Sequence, residues 1–328
     1  MLCAMTSEPL SVAEFTSRVS HWGHGAGIAA VTSGVLEGRW VVVTGGQDAT
    51  VRVWDLRSGE PVGGPLTGHT GPVRCVTATV ADGRLIVLSG GADGTIRVWD
   101  PVSGEQVGKP FTGHTGAVCA VESAVVDGRL LAVSAGIDRS IRVWDMSTGE
   151  QTVRPRSDQR AWVRDVAVTT IDGRPCAVAG TRQGHLRIRD LATNRDAGPD
   201  LGGPDRVVRY FGDPVDKIVA TTAADGRPIA VAGRIHDRIT VWDATTGHPV
   251  ADLPAGGQAL AAGIVDGRPI AVTGLARTAK VWNLVTHQQI GSDLSFPHPV
   301  TAAAITPAGH LVVCSDQHIT VLAAAPAP

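Results

Sequence analysis

Residues 68–100 read GHTGPVRCVTATVADGRLIVLSGGADGTIRVWD, and almost everything else in the chain is a copy of this stretch, a decayed copy, or the piece that closes a set of copies. Displaced forward by 45 residues, it returns as residues 113–145, GHTGAVCAVESAVVDGRLLAVSAGIDRSIRVWD. Displaced back by 45, it appears as residues 23–55, GHGAGIAAVTSGVLEGRWVVVTGGQDATVRVWD. A period of this length marks one supersecondary unit per repeat. Within the unit, Val73 to Thr79 alternates as a strand does and is followed by Asp82-Gly83. Asp and Gly accept the positive φ angles of a two-residue hairpin turn. Arg84 to Ser89 reads as the next strand, Ala92-Asp93-Gly94 as a second turn, and Thr95 to Asp100 as a third strand. Ser103-Gly104-Glu105 turns into a short fourth strand near Gln106 to Phe111. A four-stranded antiparallel unit cannot bury both of its faces alone, so the copies must stack.

Gly-His about thirty residues ahead of Trp-Asp, recurring in register, resembles the WD-repeat β-propeller family, in a stand-alone, bacterial-type form. The resemblance spans residues 10–323 and implies an all-β fold of four-stranded antiparallel blades. In that family a hydrogen-bonded tetrad of His, Ser or Thr, Asp and Trp staples each blade. The three clear repeats match it at every position: His24, Thr44, Asp48, Trp54; His69, Ser89, Asp93, Trp99; and His114, Ser134, Asp138, Trp144. A buried indole N–H needs an acceptor, the hydroxyl relays to His, and Asp orients the imidazole. Ser, His and Asp together also invite a hydrolase reading. Threefold recurrence, with the hydroxyl already holding Trp, argues against it.

The hairpin signal recurs at Gly38-Arg39, Gly83-Arg84, Gly128-Arg129, Gly173-Arg174, Gly226-Arg227, Gly267-Arg268 and Gly309-His310. The third-strand marker recurs at Trp54, Trp99, Trp144, Arg189, Trp242, Trp282 and Leu322. Both sets give seven blades. After Leu322 no fourth strand remains, and residues 10–21 have neither a Gly-His nor a Trp-Asp of their own. The family supplies the expectation that 10–21 form the outer strand of the last blade and close the ring, which removes its open edges. Residues 1–9 and 324–328 read as flexible tails around a single domain.

Composition narrows the function classes. Net charge is −2 and 43% of residues are hydrophobic. That balance speaks against a general nucleic-acid or membrane-surface binder. No apolar run reaches the roughly 18 residues of a membrane helix, and no secretion signal is read at the start. Five cysteines, Cys3, Cys75, Cys119, Cys176 and Cys314, show no metal spacing and point to a reducing, cytoplasmic setting. Only three of the 29 basic residues are Lys, a usage typical of a GC-rich bacterial genome. His21 and His24 are three apart, but the tetrad claims His24, so no metal or other cofactor is expected. The hairpin arginines, paired with Asp82, Asp127, Asp172, Asp225 and Asp266, read as a solvated ring of turns or, alternatively, a site for phosphate or an acidic partner.

Blades 4 to 7 depart from the repeat. Blade 4 has Gln159, Ala179, Gln183 and Arg189 at the tetrad positions; blade 5 keeps Trp242 but has Ala232. Blade 6 keeps Thr273 and Trp282, and blade 7 reads as keeping Ser315 and Asp316. Drift explains this, since a ring needs some staples and not all. Specialisation explains it too. The segment 196–214 carries eight extra residues and, with Asp205, Arg206, Arg209, Tyr210 and Phe211, an interface-like mixture of aromatic and Arg. Trp162 stands where the other repeats have Pro72 and Ala117, either as a core residue or at a rim position that contacts partners in the family. Arg154, Arg156, Arg160, Arg164, Arg182, Arg187 and Arg189 make blade 4 basic.

The leading expectation is a monomeric, non-enzymatic scaffold. It would bind another protein, an acidic segment by its charge, through a top-face patch of Trp162, Arg160, Arg182 and the 205–211 residues. The alternative is an enzyme or small-ligand binder using the central funnel, with Arg234, His236, Asp237, Arg277 and His298 near its mouth.

Overall fold

The computed structural model describes residues 16–20, 24–152, 162–181, 186–193, 195–197, 215–223, 225–234, 238–254 and 259–323; the side chains of 16–20, 216, 234, 259 and 323 are outside the description. Among these residues the structure is all β, in seven antiparallel sheets. The innermost strands are Ile28–Leu36, Val73–Ala81, Val118–Val126, Val163–Ile171, Val215–Thr222, Ala259–Val265 and Val300–Ile305. Each packs beside the next, and the seventh packs against the first, so the blades form a closed ring.

Within a blade the register follows from the turns. Val80 pairs with Leu85 and Ala81 with Arg84, which leaves Asp82 and Gly83 as the two turn residues. Their φ angles are 50° and 75°, the left-handed pair that this hairpin demands. The same pair recurs at Asp127-Gly128, Asp172-Gly173 and Asp266-Gly267. Six inner strands also carry a bulge near their start, as between Val73 and Cys75. A bulge adds local twist and re-aims the residues that follow.

The core is divided among the blade interfaces. Seven apolar clusters are present, one between each pair of neighbouring blades. The Trp of a blade reaches into the interface with the blade before it: Trp99 packs with Val41 and Leu66 of blade 1, and Trp144 with Leu88 and Val98 of blade 2. A blade's staple therefore fixes a side chain that joins two blades, and stability is shared between neighbours.

Blades 3 and 4 each have three described strands, with single bridges, Trp144 to Gln151 and Arg189 to Asp196, where a fourth begins to pair; residues 153–161 and 198–214, which would continue it, lie outside the described residues. One reading needs revision. In blade 7, Val313 pairs with Ala303 as Thr44 pairs with Val31, so Val313 holds the tetrad hydroxyl position and Ser315 does not. The second strand leaves its hairpin sooner, Val313 lying four residues after Gly309 where Thr44 lies six after Gly38, and this shifts the apparent match by two residues. The strand Thr16–Ser20 pairs antiparallel with His318–Ala323 at the outer edge of the last sheet. Residues 1–15, 21 and 324–328 lie outside the described residues.

Candidate functional site

The three full tetrads share one geometry. In blade 1, Trp54 Nε1 donates to Thr44 Oγ1 at 2.9 Å, Thr44 Oγ1 lies 2.8 Å from His24 Nε2, and His24 Nδ1 lies 2.9 Å from Asp48. Blade 2 repeats this through Trp99, Ser89, His69 and Asp93, and blade 3 through Trp144, Ser134, His114 and Asp138. The indole can only donate, so the hydroxyl accepts from it and donates onward to Nε2. That leaves the proton on Nδ1, where it donates to the carboxylate. Burial lowers the affinity of each His for a second proton, and the facing Asp only partly offsets this. The three hydroxyl residues are 0% exposed, so no substrate carbonyl can reach them. The Ser-His-Asp geometry here is a staple.

The glycine two residues after each hydroxyl residue serves this arrangement. A Cβ on Gly46, Gly91 or Gly136 would collide with the staple His and Asp of its own blade. Blade 7 has no staple His, and its equivalent position is Ser315.

Outside these blades the staple fades stepwise. Trp282 Nε1 still donates to Thr273 Oγ1, at 3.2 Å. Trp242 is buried with its Nε1 unmatched among the described residues. Arg189 takes the Trp position of blade 4 and is buried there, 3% exposed.

The WD domain, G-beta repeat family model matches residues 16–55, 59–100 and 104–145, the three stretches that carry the full staples. The chain is a seven-bladed β-propeller whose first three repeats are WD repeats. Comparison with curated proteins finds no match.

In this WD-repeat propeller the expected top-face residues divide. Trp162 is exposed at 38%, directly before the inner strand of blade 4. Arg160, Arg182, Asp205, Arg206, Arg209, Tyr210 and Phe211 lie outside the described residues. Of the funnel set, His236 and Asp237 also lie outside them, and Arg234 ends a strand of blade 5. Arg277 is exposed in a turn whose carbonyl accepts from the Phe296 N–H at 2.8 Å. His298 stacks flat on His318, with centroids 5.0 Å apart.

On the hairpin face, two of the arginine charges are met by neighbouring carboxylates. Arg129 pairs with Asp145, and Arg227 pairs with Asp225 at 2.6 Å and Asp243 at 3.1 Å. An open depression of about 830 Å3 between blades 4 and 5 includes Arg227 with those two partners.

The structure also brings together residues that the repeat pattern did not single out. The central channel, about 220 Å3, is lined by inner strands of all seven blades. On one side stand Thr77, Glu122, Asp165 and Lys217. Asp165 Oδ2 accepts the backbone N–H of Ile218 at 2.8 Å and lies 3.8 Å from Lys217 Nζ. Thr77 Oγ1 donates to Glu122 Oε2 at 3.3 Å. Burial first, and the Asp165 charge second, push the Glu122 carboxyl up to about 7. The Asp165 charge raises Lys217 and outweighs the opposing effect of burial, so its ammonium is held. The sequence did contain a signal. Asp165 stands in the register of Ala30, Cys75 and Ala120, and Glu122 in that of Thr32 and Thr77.

Proposed function

We propose that this WD-repeat propeller is a non-enzymatic scaffold, a cytoplasmic monomer without a cofactor, whose top face over blades 4 and 5 binds an acidic segment of another protein. The observation that carries the reading is Trp162. Accessible Trp rings are common interface anchors, and this one keeps 38% exposed at a strand entry on a rigid ring. The Ser, His and Asp groups capable of hydrolytic chemistry are sealed inside the staples, which supports a binding role over a catalytic one. The arginines of blade 4 supply complementary charge for an acidic partner.

The test uses the tagged chain as bait, with retained proteins identified by mass spectrometry. Trp162→Ala and Arg182→Ala should each lose the wild-type partner, with melting temperatures within about 2 °C of wild type. Retention of the same partner by both variants would sink the top-face reading.

A further inference from the structure

The central channel has two unlike halves. One half carries Glu122, Asp165 and Lys217 from three consecutive blades, with Thr77 from the blade before. The other half is small and apolar, with Val31, Ala261 and Ala304 among its lining. The channel's space of about 220 Å3 holds about seven waters at roughly 30 Å3 each, or one small organic molecule.

Among the described residues the charges in this channel do not balance. Asp165 and Lys217 answer one another. Glu122 is the carboxyl left over among the described residues: its side chain takes a hydrogen bond from neutral Thr77, and the charges that act on it are those of that pair. Cys75 and Cys119 also adjoin Lys217, and burial raises both thiols, so they bring no charge. An ionised Glu122 therefore lacks a counter-charge in a confined space, a costly arrangement unless a cation arrives. A bare divalent cation suits the site poorly. It wants six or more oxygen ligands, and the Lys217 ammonium stands among the few on offer.

We propose that the channel binds a small organic monocation, a primary ammonium on an aliphatic body, with its charged end on Glu122 and its apolar end against the alanine-rich wall. This site is separate from the top face and independent of any protein partner. Because Glu122 takes up its proton near pH 7, binding must compete with that proton. Affinity should level off above neutrality and fall about tenfold per pH unit below it.

The test is isothermal titration of the full chain with n-butylammonium chloride at pH 8 and pH 6, against sodium chloride and n-butanol as controls. Saturable binding is expected at pH 8, about tenfold weaker at pH 6, with no binding of n-butanol. Glu122→Gln should bind at least about tenfold more weakly at pH 8. Ala304→Leu, which keeps Glu122 and fills the apolar half, should also lose binding. No saturable heat up to about 10 mM, equal binding of n-butanol, or wild-type affinity in Glu122→Gln each overturns the proposal. Should Glu122→Gln fail to fold, Ala304→Leu and the butanol control decide it.

Discussion

Ala232 stands beside the buried indole of Trp242 in the register that Thr44 holds beside Trp54. In blade 1 the hydroxyl accepts the indole proton at 2.9 Å, whereas Trp242 Nε1 is buried without an acceptor among the described residues. Ala232→Ser should supply one. Ser89 and Ser134 show that this register holds a fully buried hydroxyl without distortion. A gain of about 1 kcal/mol is expected, read as a higher urea midpoint at unchanged slope. A midpoint at or below wild type would mean that the indole is already satisfied.

Two serines should respond oppositely to the same change. Ser134→Ala removes the acceptor of Trp144 and the partner of His114 Nε2, leaving two buried groups unmatched. A loss of about 2–3 kcal/mol is expected. Ser315 Oγ is buried with no hydrogen bond among the described residues, so Ser315→Ala should be neutral or stabilising by up to about 1 kcal/mol. Equal losses in both variants would show that burial alone, and not the staple, sets the cost.

The staples should make stability fall in mild acid. His24, His69 and His114 are held below the ordinary 6.5 by burial, so the unfolded chain binds their protons more readily. Each contributes stability that is present above pH 6.5 and lost as pH falls toward its folded value, at up to about 1.4 kcal/mol per pH unit. Burial opposes ionisation of the partner Asp93, but the Thr70, Thr95 and His69 hydrogen bonds prevail and hold it at about 2. Its contribution is full above pH 3.8 and is lost progressively as pH falls from there through 2. Urea midpoints from pH 7.5 to 5 should decline; a flat profile in a Glu122→Gln background would contradict this assignment.

Glu122 acts with the opposite sign. Its folded value, about 7, lies above the unfolded 4.5, so it favours the fold below pH 4.5 and loses that advantage as pH rises toward 7. Glu122→Gln should therefore be more stable relative to wild type at pH 8 than at pH 4.5, by about 2–3 kcal/mol. A pH-independent difference between the two proteins would place the carboxyl in open solvent.

Buried thiols should resist alkylation in the folded protein. Burial raises Cys75 and Cys314 far above the usual thiol range, and Cys176 to about 11. Iodoacetamide at pH 8 should leave all three unmodified over the time in which it labels them in urea. Mass spectrometry of peptides reads the result, and native labelling of Cys176 would reveal local opening of blade 4.

The staples were legible because hydrogen-bond geometry fixes residue type and spacing together. His to hydroxyl is 20 residues, His to Asp 24, and hydroxyl to Trp 10, in each full blade. The hairpins were legible because Asp82-Gly83 and its copies adopt a conformation that few residue pairs tolerate. Blade 7 misled where a shortened hairpin before the second strand slid Ser315 into apparent alignment, and only strand pairing reveals Val313 in its place. The channel was illegible for another reason. Whether Asp165 faces the axis or a neighbouring blade depends on the bulge after Val163, which alternation does not show. The meeting of Glu122 with Thr77, 45 residues away, depends on ring closure and not on local pattern.

The pairing of Thr16 with Ala323 has a consequence for biosynthesis. These partners are separated by about 300 residues, so their contact is among the most non-local a chain of this size can make. At about 5–20 residues per second, the first strand would leave the ribosome roughly 15–60 s before its mate exists. Throughout that interval blade 7 cannot form, and both flanks of the growing arc expose apolar sheet. A nascent chain of this protein is thus a prolonged client for chaperones, and stalling late in translation should be far more harmful than stalling early.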